Sequence, residues 1–139
     1  MLKRILGSLA LVVTLLAAGA QAQATPAKAK EPVSSGRRLS EWVADLKALA
    51  PQTRNAAAYE IAGLGPAAVA AVPALIEALD DPSPVVRFPV TVALGEIGPG
   101  AKAAVPRLQQ MMDEEINDEI AASARRALRH IEPAAVPTE

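Results

Sequence analysis

Apolar residues recur along the chain at helical spacing. Ala57-Ile61-Leu64, Val90-Leu94-Ile97 and Ala124-Leu128-Ile131 each stand at i, i+4, i+7, which places three apolar side chains on one face of an α-helix. A second series lies between them: Trp42-Leu46, Leu75-Leu79 and Leu108-Met112, offset from one another by 33 residues. Two kinds of helix therefore alternate. The pattern predicts six, over about 41–49, 53–63, 73–80, 84–97, 106–114 and 118–131.

The alternation is a repeat. Residues 54–75 and 87–108 are identical at nine of 22 positions without a gap, and the third copy needs one inserted residue. A period of 33–34 residues built from helix pairs means that no pair buries its apolar face alone, so the predicted fold is all-α, an α-solenoid of about three helix pairs.

The punctuation agrees. Gly65-Pro66 and Gly98-Pro99 end two helices, Gly as a left-handed cap and Pro as a residue that cannot continue the helix. Pro73 and Pro106 open the next ones, where a missing N–H is harmless. Ser83 before Pro84, and Ser40 before the first helix, are expected N-caps.

The Asp81-Pro82 turn, Arg87 in the first turn after it, "ALGEIGP" from Ala93 to Pro99 and "VPRL" from Val105 to Leu108 recur in order. In these motifs the chain resembles the HEAT-like repeat, in the short-repeat branch that includes the phycobilisome lyase type, over about residues 39–133. The resemblance implies a solenoid whose second helix type lines a concave face. It also implies structural roles for the repeat residues Arg54, Gly65, Pro66, Pro73, Asp81, Arg87, Gly98, Pro99 and Pro106. Three places depart from the pattern. Pro89 falls in the middle of a helix, where it removes a backbone donor and should kink it, Glu132-Pro133 stands where Gly-Pro is expected, and "AAVPTE" begins another helix start and stops.

Outside the repeats, residues 1–24 combine Lys3 and Arg4, an apolar run and two Ala-x-Ala sites, which read as a secretory signal peptide. Residues 25–38 mix Pro, Gly, Ser and charge and are expected to be a disordered linker, and 134–139 a C-terminal tail. With no Cys there is no site for lipidation and no disulfide, so an exported chain must rest on helix packing alone.

Charge and chemistry then narrow the function. The net charge is −1, falling to −3 without the leader and to −6 over the last 101 residues, which disfavours nucleic acid. One His and no Cys leave no nucleophile or metal cluster, so no enzyme, cofactor or metal is expected. His130 beside Arg126 and Arg129 suits a helix C-terminus, and Trp42 belongs to the core. Asp80, Asp81, Asp113, Glu114, Glu115, Asp118 and Glu119 suit the starts of helices. What remains is surface for a protein or peptide partner: Glu41, Asp45, Glu77, Arg107, Gln110 and Met111 on the concave face. A second candidate is the terminal end, with Ile116 and Ile120 rimmed by Arg125, Arg126 and Arg129, suited to a partner or weak homo-oligomer. The expectation is an exported, non-enzymatic interaction module, periplasmic or secreted. The alternatives are an accessory subunit of an enzyme such as a bilin lyase and a scaffold anchored in the membrane by an uncleaved leader.

Overall fold

Two glycines set the geometry of each repeat. In the computed structural model, which describes residues 30–138, Gly65 has φ 53°, ψ −135° and Gly98 φ 73°, ψ −141°. A Cβ excludes this combination, so the requirement for Gly is stricter than that of the ordinary left-handed cap expected from sequence. The chain turns at each and runs on as a seven-residue 3-10 stretch, Gly65–Ala71 and Gly98–Ala104. Ala68, Ala71, Ala101 and Ala104 are fully buried there, since only small side chains let the two stretches lie against each other.

Six helices follow the predicted order: α1 (Leu39–Asp45), α2 (Pro51–Leu64), α3 (Val72–Ala78), α4 (Pro84–Ile97), α5 (Val105–Glu114) and α6 (Asp118–Ile131). Helices α2, α4 and α6 pack side by side as one layer, and α1, α3 and α5 form the other, meeting the first layer and the intervening 3-10 stretches. The apolar triads point inward: Ile61, Val90, Leu94, Ala124, Leu128 and Ile131 are buried against Trp42, Leu46, Leu75, Leu79 and Leu108. Between α4 and α6 the approach is close enough that a Cβ on Gly95 would stand 3.1 Å from Ala127 Cα.

Pro89 lies inside α4 without ending it. Its missing N–H leaves the carbonyl four residues earlier, on Val85, without a helical donor. Asn55 of α2 supplies one, its Nδ2 donating to Val85 O at 2.5 Å. Two residues after Pro89, Thr91 gives its hydroxyl proton to Phe88 O at 2.7 Å, so the buried Ser123 of α6, 2.6 Å away, donates to Thr91 Oγ1.

The structure differs from expectation at both ends. The leader and residues up to 29 lie outside the described residues, but the rest of the supposed linker is ordered. Strands β1 (Val33–Ser34) and β2 (Arg37–Arg38) form a hairpin whose turn residues Ser35 and Gly36 have φ of 49° and 76°. A two-strand stub has no stability of its own. It is held by Trp42 Nε1 donating to Ser34 O at 3.1 Å, and by Ser34 and Ser35 hydroxyls donating to Glu60 at 2.5 and 2.8 Å. The supposed tail also docks: a 3-10 turn over Pro133–Ala135 packs on α6, and Gln109 Nε2 donates to Ala135 O at 3.0 Å.

Capping is likewise redistributed. Ser83 occupies the N-cap of α4 without a side-chain cap bond, and Asp81 accepts from the Ser83 N–H at 2.9 Å. Helix α1 begins one residue before Ser40, with Glu41 accepting from Arg38 N at 2.8 Å and Glu31 accepting from Ser40 N. Asn117 caps α6, accepting from Glu119 N and Ile120 N at 3.0 and 3.2 Å.

Candidate functional site

The most organised polar chemistry is a ladder along the turns that lead from one layer to the other. Arg54 in the first turn of α2 forms a bidentate pair with Asp81 at 2.6 and 2.9 Å and donates to the carbonyls of Ala48 and Leu49. One repeat later Arg87 grips Glu115 at 2.8 and 3.1 Å and the carbonyl of Asp81 at 2.8 Å. Each arginine therefore joins its own turn to the next. These are mostly buried, two-point pairs, the geometry in which Arg is strongest. The Arg54 guanidinium holds the Asp81 carboxyl below the usual carboxylate range, and Arg87 does the same for Glu115. The third copy has Ala121 at the arginine position, so the ladder ends there.

The residues expected on the concave strip are engaged with neighbours. Asp45 pairs with Arg37 at 2.8 Å, and the Arg37 guanidinium lies 4.0 Å from the Trp42 ring centre. Glu77 pairs with Lys47 at 3.0 Å and Gln110 donates to Glu114 at 3.0 Å. Glu41 closes the cap of α1, its carboxyl held low chiefly by the Arg38 backbone N–H. Arg107 pairs with Asp80, while its Nη1 is buried without a partner. Met111 is corrected outright: at 2% exposure it belongs to the core, on the floor of a groove shared with Leu79. Met112, at the end of the array, stays half-buried instead.

The terminal end is corrected too. Ile120 is 2% exposed, because the Asn117 cap starts α6 in a register that turns it inward, whereas Ile116 in the preceding turn is 96% exposed. Arg125, Arg126 and Arg129 lie on the outer face of α6. Arg125, Arg126 and Arg129 stand nine to thirteen positions beyond Ile116, roughly 14–20 Å at 1.5 Å per residue, so the structure does not bring the isoleucine and the arginine rim together. His130 and Arg126 border a small groove of about 130 Å³ opposite Glu96.

No three His, Cys, Asp or Glu side chains converge as a metal site among the described residues. What the arrangement does chemically is hold repeats in register and present surface. The family model described as HEAT repeats matches residues 39–129. The chain belongs to the HEAT repeat family. That places this solenoid among folds suited to protein-interaction scaffolds, in a family that is in general not catalytic. No curated protein matches the chain.

Sequence reasoning missed which carboxylate each arginine takes, and Asn55 opposite Val85. A signal for the ladder was present: Arg54 and Asp81 are 27 residues apart, Arg87 and Glu115 28, the same offset plus the one inserted residue.

Proposed function

We propose that this HEAT repeat chain is an exported, non-enzymatic scaffold that engages a protein partner through its repeat surface. The supporting observation is that its buried and half-buried polar groups are used to fasten one repeat to the next, leaving the outer faces as the means of action. The reading of residues 1–24 as a leader supports export, with a periplasmic or secreted destination.

The test has two parts. With a C-terminal tag, the mature chain should be recovered from the exported fraction beginning near residue 25. Crosslinking in that fraction should yield a defined protein partner. A chain that keeps residues 1–24 and sediments with membranes would be a signal-anchored scaffold, and a chain found only in the cytoplasm would remove export from the proposal. The absence of any crosslinked partner would remove the scaffold.

A further inference from the structure

The three turns that lead from α1, α3 and α5 into the other layer are equivalent in the repeat, and Leu49, Pro82 and Ile116 occupy the same place in each. All three are exposed, Leu49 at 99% and Ile116 at 96%. A large aliphatic side chain wholly in water contributes nothing to the fold, and here two of three repeats carry one at the same point. Charge on this edge is predominantly acidic, since the further cations that line its grooves, Lys47 and Arg107, are paired with Glu77 and Asp80. Asp113, Glu114, Asp118 and Glu119 are exposed and have no cation within 4.0 Å among the described residues, while Arg54 and Arg87 are engaged with Asp81 and Glu115. Two grooves, of about 270 and 340 Å³, meet at Pro82 and run toward Leu46 on one side and Ile116 on the other.

We propose that this edge docks an extended, lysine- or arginine-rich segment of the partner, with aliphatic side chains seated on Leu49, Pro82 and Ile116. The proposal rests on the scaffold reading above and names its surface. Neighbouring packed helices lie ~8–10 Å apart, and an extended segment in polyproline II conformation has about three residues per turn and advances ~3.1 Å per residue. Every third residue therefore meets the next repeat from the same side, and the residues between reach the acids. A lipid surface is the poorer occupant, because anionic headgroups repel the same carboxylates.

The probe is a ten-residue labelled peptide with Leu at every third position and Lys elsewhere, titrated into the mature chain. Binding should weaken at least tenfold with Leu49→Ser/Ile116→Ser, weaken as salt is raised, and vanish when the lysines become Glu. Both side chains are solvent-exposed, so the double variant should melt with the parent, which a thermal scan checks. Undiminished binding by the variant, or no binding by the parent, overturns the proposal. So does association with phosphatidylcholine vesicles that the double substitution abolishes. Crosslinking separates the two readings. A partner captured equally by parent and variant sinks the edge and keeps the scaffold, whereas peptide binding without any captured partner sinks the scaffold and keeps the edge.

Discussion

At the scale of residues, Pro89 and Asn55 act as a unit: one removes a donor from the α4 ladder and the other, a repeat away, replaces it. Asn55→Ala should cost about 0.5–1.5 kcal/mol, the net worth of one hydrogen bond. Pro89→Ala returns an N–H to the Val85 carbonyl, so in that background the cost of Asn55→Ala should fall close to zero. Urea titrations of the four proteins give the coupling directly, and an equal cost in both backgrounds would separate the two residues. The two isoleucines offer a sharper contrast. Ile120→Glu places a charge in the core and should lower stability by more than about 4 kcal/mol. Ile116→Glu should stay within about 0.5 kcal/mol. Comparable melting of the two variants would contradict the burial that distinguishes them.

At the scale of elements, the helices were legible because their evidence is local. A run such as Val90, Leu94, Ile97 needs only its own spacing to announce a buried face, and Gly98-Pro99 needs only its own backbone to announce an end. The hairpin was not legible, because its own two-residue ladder is too short to hold it. Its partners are Glu60, some 25 residues on, and Trp42 and Asp45 in α1. Ile120 and Met111 were misplaced for a related reason: a helix face is set by register, and Asn117 fixes that of α6 through cap bonds a periodicity count does not see. The single Trp makes the hairpin testable. Replacing Ser35-Gly36 by Ala-Ala puts two Cβ-bearing residues at positive φ without a side chain that tolerates it. Trp42 emission should shift to the red and the melting temperature should fall, with helical content unchanged by circular dichroism. An unshifted spectrum would mean that the hairpin does not shield the indole.

At the scale of the whole molecule, a solenoid is stable through contacts between neighbouring repeats, and the Arg54–Asp81 and Arg87–Glu115 rungs are polar contacts that cross those boundaries. The two carboxyls titrate below their usual range, chiefly because each accepts its arginine's hydrogen bonds. A carboxyl whose folded pKa lies below its unfolded value contributes stability that is fully present above the unfolded value, about 4. It loses that contribution as pH falls through the folded value. Stability should therefore hold from neutrality down to roughly pH 5 and fall below about pH 4. Asp81→Asn and Glu115→Gln should each lower stability at neutral pH and flatten the decline in acid, since the group that would have taken up the proton is gone. The two rungs differ in place. Glu115→Gln loosens only the last boundary, so amide exchange should rise in α5 and α6 while α2 stays protected. Asp81→Asn loosens the first boundary and should raise exchange in α1 and α2 while α6 stays protected. If both variants instead show uniform exchange and the parent's acid profile, the rungs are surface decoration, and repeat coupling rests on the apolar columns alone.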